Sequence, residues 1–485
     1  MARLVVRRLL AAAFAVAALP ASAGILIHDV TLISPERRAP LAHADVLIEG
    51  GRIAKVGTHL AAGGEVQRVD GSGRFLIPGL IDSHVHVGHS AALGDDAIDA
   101  HPGLWEAYRA QVPRAYLAFG FTTVVDLDLK PKDQAWFDAT PLHPRFFSCG
   151  RGVHVAGGYG AFKPPKLSSP NFPNLVYEPF EAKSWPSGLD PRDFTPKNAV
   201  ARAAAQHAIC VKAFVEPGFG QFDWPYMHAP TLRELHDAAK AEGLPLMVHA
   251  NGVQSWRIAF DARAEILAHG LWVWPGGDGA LSADARAVVD EAARRQVRVQ
   301  PTLQVIEGER AIFDPAVLDD PRMAMALPTS VVAYLRTPEA EKSRLAMAAD
   351  YRGSAPDFDA RFRAARERSK ASFKRMLERH VALIFGSDTP AGDGFGNPPG
   401  LNGRFEIQDW ADDGAPLALI LGAATLDNAK ALGLARELGS IEAGKRADLL
   451  LLAKNPLTDV SAYDSILTVF LDGAPLPRES LAPAE

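Results

Sequence analysis

Phe75-Leu76-Ile77-Pro78-Gly79-Leu80-Ile81-Asp82-Ser83-His84-Val85-His86 is the stretch on which the reading of this chain turns. A short apolar run that follows Pro78-Gly79 ends in two imidazoles spaced by one residue. Side chains two apart in an extended chain point to the same side, so a strand here brings His84 and His86 to one metal ion. An isolated His-x-His is weak as a motif, because surface or hydrogen-bonded histidines are common. Its weight depends on what the rest of the chain puts beside it.

Working outward, the chain alternates strand and helix. Strand-like apolar runs are expected at 79–82, 122–126, 145–148, 209–215, 244–249, 265–269, 297–302 and 381–388. Most are near-continuous in apolar residues, as expected where both faces of a parallel strand are covered. Helical patterns lie between them. One is read as opening at Thr231, with Glu234 closing a capping box, and stopping at Gly243 before Pro245. Another runs from Ser282 to Arg295. Eight strands with intervening helices predict an α/β fold, a (β/α)8 TIM barrel over 76–436. An open doubly wound sheet is disfavoured, since no glycine-rich phosphate loop follows the first strand. The stretch 307–380 is too long for one crossover and is expected to add helices over the barrel mouth.

The two ends of the chain read differently. Short β-like segments at 25–27, 46–48 and 53–56 alternate with turns, and β-rich runs return at 448–452 and 466–471. Neither end is large enough for a core of its own. A small β-sandwich formed by both termini, 24–75 and 437–485, is the economical reading. Ahead of it, Arg3, Arg7 and Arg8 precede an apolar stretch at 9–19 and then Ala21-Ser22-Ala23. That order predicts a cleaved signal peptide over 1–23 and a periplasmic or secreted protein with no stable membrane insertion. The alternative is an uncleaved N-terminal anchor.

Composition excludes some classes. The chain has 485 residues, 48% of them hydrophobic, with a formal net charge of -6 and no long basic run, so nucleic acid is not an expected partner. A small-molecule substrate is, and a homo-oligomer is compatible with the composition. Only Cys149 and Cys210 occur, which rules out a cysteine metal cage. An oxidising compartment would allow them to pair, but both lie in apolar strand-like segments of a chain that needs no staple, and they are read as buried free thiols.

The strand ends raise the weight of the His-x-His pair. His249 closes the strand expected at 244–249, His269 the one at 265–269, and Asp388 the one at 381–388. In a barrel the C-terminal strand ends converge on one face, so residues far apart in sequence meet there. Imidazoles and a carboxylate suit zinc, manganese or iron. Lys212 is the odd member. A charged, unpaired lysine inside Ile209-Cys210-Val211-Lys212-Ala213-Phe214 would be costly. Either it snorkels to the rim or pairs with a carboxylate, or it reacts with carbon dioxide and bridges two cations as a carbamate.

Together these motifs resemble the metal-dependent amidohydrolases, in the branch of imidazolonepropionase-like and prolidase-like enzymes. The matching pieces are 75–86, Val211-Lys212, Val248-His249-Ala250, Ala268-His269-Gly270, Gly386-Ser387-Asp388-Thr389 and the closing Gly439-Ser440-Ile441-Glu442-Ala443-Gly444-Lys445-Arg446-Ala447-Asp448-Leu449. The resemblance implies two divalent metal ions, zinc foremost, with His84 and His86 on one and His249 and His269 on the other. Carbamylated Lys212 and a hydroxide would bridge them, and Asp388 would bind metal and shuttle protons. The implied activity is hydrolysis of an amide-type C–N bond in an N-acyl amino acid, a dipeptide or a cyclic amide. Ester or lactone hydrolysis on the same site, a one-metal deaminase and a metal-binding protein without turnover are the alternatives.

Two positions depart from the prolidase-like pattern. Tyr159 stands in Gly157-Gly158-Tyr159-Gly160 where those relatives carry histidine, and Asn251 replaces a histidine or tyrosine. Both argue against ordinary dipeptide cleavage. His154, Tyr159 and Asn251 are expected to touch substrate, because they follow strand ends on the active face. Trp224, Tyr226, Trp256, Trp272 and Trp274 point to a partly aromatic pocket.

Overall fold

The computed structural model describes residues 24–484 apart from 62–65, 92, 164–165, 170, 277–279, 350–354 and 391–393. The expected signal peptide at 1–23 lies outside the described residues.

The middle of the chain is α/β with two parallel sheets. Leu80–Val85, Phe121–Asp126 and Arg145–Ser148 form the first, in that order. The second runs Asn174–Val176, Val153–Val155, Val211–Phe214, Leu246–His249, Ile266–Ala268, Arg298–Gln300 and Ala382–Leu383. Backbone hydrogen bonds link the two sheets on both sides. Ile209 N–H donates to Ser148 O at 2.9 Å and Ser83 N–H to Phe385 O at 3.3 Å, and Val85 bridges Thr389. Every residue of Leu80–Val85, Phe121–Asp126 and Leu246–His249 is buried, as the continuous apolar runs require. Val153–Val155 and Asn174–Val176, three residues each, are too brief to stand out by periodicity and were not expected.

The helices follow local signals with one exception. Ser282 caps Ala283–Arg295, its side chain accepting from Ala285 N–H at 3.1 Å. The Thr231–Glu234 capping box does not form. The helix there spans Ala229–Ala241, because Pro230 enters its first turn, where a residue without an N–H costs nothing. Between 304 and 378 the chain adds several helices, of which Ala355–Glu378 is the longest at 24 residues.

Both ends of the chain join in one eight-stranded mixed sheet. Gly24–Leu32 pairs antiparallel with Leu41–Glu49, while Leu449–Leu452 lies antiparallel to Phe75–Pro78. Ile27, Val30, Val46, Leu449, Leu451 and Phe470 share its core. The strand that joins the two ends within this sheet, Phe75–Pro78, pairs with both Gly24–Leu32 and Leu449–Leu452 and runs directly into the strand bearing His84.

The reading of Cys149 and Cys210 as free thiols is wrong: they form a disulfide. Sixty-one residues separate them in sequence, but the Ile209–Ser148 hydrogen bond sets their segments side by side, with the Cα atoms 4.6 Å apart. That is within the reach of a disulfide. Among the described residues no helix is long and apolar enough to cross a membrane.

Candidate active site

Asp388 is the centre of the site. Its Oδ1 lies 3.2 Å from His84 Nε2 and 3.1 Å from His86 Nε2, and its Oδ2 lies 3.8 Å from His269 Nδ1. The ligand atoms of His84, His269 and Asp388 all fall within 4.8 Å of one another, a spacing that suits a metal ion. His249 adjoins them, its ring centroid 4.6 Å from that of His269. The structure therefore brings four of the strand-end histidines and Asp388 to one place.

The backbone pays locally for this convergence. His269, Thr302 and Asp388 have φ of 84°, 45° and 59°, the left-handed region that residues with a side chain seldom occupy. A β-branched threonine there is especially unusual. His269 directly follows Ile266–Ala268 and Thr302 lies two residues past Arg298–Gln300, whereas the strand expected at 381–388 is only Ala382–Leu383 and leaves Asp388 five residues beyond it. Thr302 Oγ1 is 2.9 Å from His269 Nδ1. Strain of this kind persists only where surrounding contacts hold it, and it gathers at functional sites. Those contacts are visible. Asp82 accepts the N–H groups of His84 and Ser387, tying the two ligand-bearing segments together. Gln300 donates to Ser83 O at 3.0 Å, and Asn402 donates to Ser387 O at 2.8 Å. Gly386 allows the closest approach, since a Cβ there would fall 2.7 Å from His84 Cβ.

Lys212 is 1% exposed, and its Nζ has no hydrogen-bond partner among the described residues. The Phe214 ring centroid lies 5.2 Å from Nζ. Burial pushes its ammonium down to about 7, against the pull of Asp388 and Asp128. This burial speaks against the rim-lysine alternative, and among the described residues no carboxylate is within ion-pair distance of Nζ. Burial likewise pushes His84 down to about 3, so its neutral, ligating form dominates. Burial raises the Asp388 carboxyl, but His84, His86 and His269 outweigh it and hold Asp388 well below the usual carboxylate range. His84 Nδ1 and His86 Nδ1 have no partner among the described residues. Burial holds His84, His249 and His269 toward the neutral form, whereas for His86 the Asp388 carboxylate outweighs burial and raises it. With an ionised carboxylate and a readily neutralised amine these are donor types that divalent ions take, so the residues fit a metal centre.

The substrate-side expectations divide. Tyr159 and Asn251 line a cavity of about 1810 Å³ that opens over His86, His249, His269 and Asp388. Tyr159 stacks on His249 at 4.8 Å, and Asn251 Nδ2 lies 3.1 Å from His249 Nε2. His154 is not among the lining residues. Its ring lies under the loop, with Nδ1 2.9 Å from Tyr159 O, Nε2 3.3 Å from Asp128 and its face on Phe214 at 4.2 Å. Trp224, Tyr226, Trp272 and Trp274 line the cavity. Trp256 does not: it is fully buried and donates to Ala250 O, a core tryptophan whose N–H has found a backbone partner.

Several residues escaped the sequence reading. Glu216, 3% exposed, accepts from Gly218 N–H and from Asn251 Nδ2 and lies 3.5 Å from His249 Nε2. Its position four residues after Lys212, just past a strand end, was the available signal. His89 stacks on His86 at 5.1 Å and faces the cavity. Thr302 and Gln300 carried no signal, as neither type marks a ligand holder.

Known proteins resemble this chain in part of its sequence and in its fold. The sequence profile described as the amidohydrolase family matches residues 319–476, a stretch that includes Asp388 and the returning strands of the terminal sheet. A deacetylase of Agrobacterium fabrum is 36% identical over 108 residues, 22% of this chain and 23% of that protein. A dihydroorotase of Trichlorobacter lovleyi is 35% identical over 83 residues, 16% of each. The chain thus spans less than a quarter of the length of these curated relatives. A crystal structure of a prolidase complexed with N-methylphosphonate-L-proline has the same fold, with a TM-score of 0.66 at 22% identity over 94% of this chain and 100% of that one. The chain is thus similar to the amidohydrolase family over residues 319–476 and shares its fold with the prolidase structure.

Proposed function

We propose that the chain is an exported hydrolase that cleaves an amide-type C–N bond in a small molecule at a centre of two divalent metal ions, zinc foremost. The observation that carries this reading is Lys212: an amine buried with no hydrogen-bond partner among the described residues, inside an apolar strand, in electrostatic reach of Asp388 and all four histidines. With its value near 7, a good part of the amine is neutral at ordinary pH. A neutral amine adds to carbon dioxide with loss of one proton, giving a carbamate anion with two oxygens. His84, His86, His249, His269, Asp388 and that carbamate would hold the two ions. Ions bound there would lower the pKa of a water and polarise the scissile carbonyl.

The chain's own residues handle the proton. Asp388, ionised through its histidine neighbours, accepts a proton and returns it to the leaving nitrogen. Overall, water adds its hydroxyl to the acyl carbon and its proton to the nitrogen. Asp82 and Asn402 orient Asp388 through Ser387. The two parallel sheets are read as arcs of one (β/α)8 barrel, a reading supported by the hydrogen bonds joining Ser148 to Ile209 and Ser83 to Phe385. The terminal sheet is read as the family's β-sandwich. Export is supported by the Cys149–Cys210 disulfide, which suits an oxidising compartment.

A one-metal reading has one observation in its favour, the tight trio of His84, His269 and Asp388. Metal analysis separates the two. Two ions per chain in protein prepared with bicarbonate, and hydrolysis in a screen of amides and esters, are expected. One ion per chain, unaffected by Lys212→Ala, would favour the one-metal centre.

A further inference from the structure

We propose that one half of the substrate is an extended aromatic ring system, which stacks on a wall formed by Tyr159, Trp224 and Phe162; this rests on the hydrolase reading above. Pockets for drug-sized ligands are roughly 300–1,000 Å³. The cavity over Asp388 is about 1810 Å³, so a dipeptide or acetylated amino acid would leave most of it to water. Aromatic side chains run along one side of it. From His249 outward the rings form a continuous chain: Tyr159 lies 4.8 Å from His249, Trp224 lies 5.8 Å from Tyr159 at 27°, and Phe162 lies 4.8 Å from Trp224. Phe162 is 49% exposed at the outer end, a large apolar side chain left open to solvent at the cavity mouth. A second apolar wall begins at Trp272, 5.7 Å from His269, and continues through Val305, Ile306 and Phe362.

Charge points the same way. Arg257 is paired with Asp284 at 2.7 Å, and Arg361 donates to Gln221 at 2.7 Å. Arg368 covers the Trp274 ring and donates to Trp274 O at 3.1 Å. The three arginines along the cavity are engaged by the protein and the remaining cation on the lining, Lys163, is an exposed residue beside Phe162, so recognition deeper in the cavity falls to the rings rather than to an anion clamp. The wall is also built in place. Gly160, at φ +72°, lets the loop close on His154, where a Cβ would fall 2.6 Å from His154 Cε1, and His154 in turn holds Tyr159 through its carbonyl.

The test uses secondary-amine analogues that cannot be hydrolysed, on the metal-loaded full chain. N-(2-naphthylmethyl)-L-alanine is compared with N-ethyl-L-alanine, and N-ethyl-2-naphthylamine reports whether the ring belongs to the acyl or the amine half. At least one naphthyl probe should bind about tenfold tighter than N-ethyl-L-alanine, the scale of stacking plus apolar burial. Trp224→Ala should erase most of that preference. Phe162→Ala, which alters a half-exposed side chain and leaves the core intact, should reduce it about threefold. Equal affinities for naphthyl and ethyl probes, or a preference untouched by both variants, overturn the proposal. A naphthyl preference lost in both variants but without turnover of any amide would support the aromatic wall while sinking the hydrolase reading. Turnover of small amides with equal probe affinities would do the reverse.

Discussion

The two halves of the site are held in different ways. Around His84, His86 and Asp388 the support is dense and short-ranged: Asp82 bonds both ligand segments, and Gln300, Asn402 and Asn428 donate to neighbouring backbone carbonyls at 2.8 to 3.0 Å. Around Lys212 and His249 it is looser and more aromatic. Lys212 has no partner among the described residues, and His249 is placed by Asn251, Glu216 and the face of Tyr159. On the function proposed above, the first half holds a carboxylate where a proton is handed over, and the second receives a bridging anion on Lys212 and a substrate against the rings.

That contrast makes the first half the more sensitive to chemical change. Asp388→Asn preserves shape but removes the base, and kcat should fall at least about a hundredfold, the usual scale for general-base loss. Metal content, measured in the same samples, should drop only in part. Near-normal turnover in metal-replete Asp388→Asn would take the proton step away from this half altogether.

In the second half the sharpest probe is Lys212→Ala. Metal per chain should fall and activity should drop about tenfold or more, and short carboxylic acids should restore part of both by supplying bridging oxygens. Lys212→Glu should exceed Lys212→Ala. Two ions and normal rates in Lys212→Ala would remove the carbamate and make the two halves one.

Thr302→Val tests the seam between the halves. It keeps the β-branched shape at φ 45° but loses the hydroxyl 2.9 Å from His269. Metal affinity should weaken about tenfold, the lower end for groups that orient a ligand, with the urea midpoint little changed. An unchanged metal titration would show that the strained backbone alone aims His269.

Beneath the second half, Cys149→Ala with Cys210→Ala should cost about 2–4 kcal/mol in urea unfolding, as is typical for loss of a native disulfide. The disulfide lies two residues before Lys212, so a larger loss of metal in this variant than in Thr302→Val would move the weak point to the Lys212 strand.

The smallest expected effect is in the scaffold of the first half. Glu406, on the helix Leu401–Asp412 that also carries Asn402, is pushed up by burial to about 8 from an ordinary 4.5. Between those values the folded chain keeps a proton that the unfolded chain has lost, so this group's contribution makes stability fall as pH rises from about 4.5 to 8. Glu406→Gln should flatten that slope, read from urea midpoints at several pH values. A slope unchanged in Glu406→Gln would assign it to other groups.

Much of the site was legible because of one regularity. A ligand that ends a strand can be read from an apolar run closed by His or Asp, and 249, 269 and 388 all have that form. The helix at Ala283–Arg295 was legible from Ser282 for a similar reason, a local cap bonding three residues on. Where the signal was local but contested, as at Thr231 beside Pro230, the wrong competitor was chosen. Where it was not local, nothing in the chain announced it.

What the sequence by itself determined is therefore the set of chemical types and their strand-end spacing: four imidazoles, a carboxylate and a lysine within apolar runs, and β segments at both ends of the chain. What only the tertiary structure decided is which groups face which. The pairing of Cys149 with Cys210, the isolation of the Lys212 amine, the left-handed backbone at His269, Thr302 and Asp388, and the separation of His154 and Trp256 from the cavity all depend on strands packed side by side from distant parts of the chain. The physical reason is range. Periodicity, caps and turns act over a few residues, whereas burial, ion pairing and strain are fixed by neighbours that meet only when the sheets assemble.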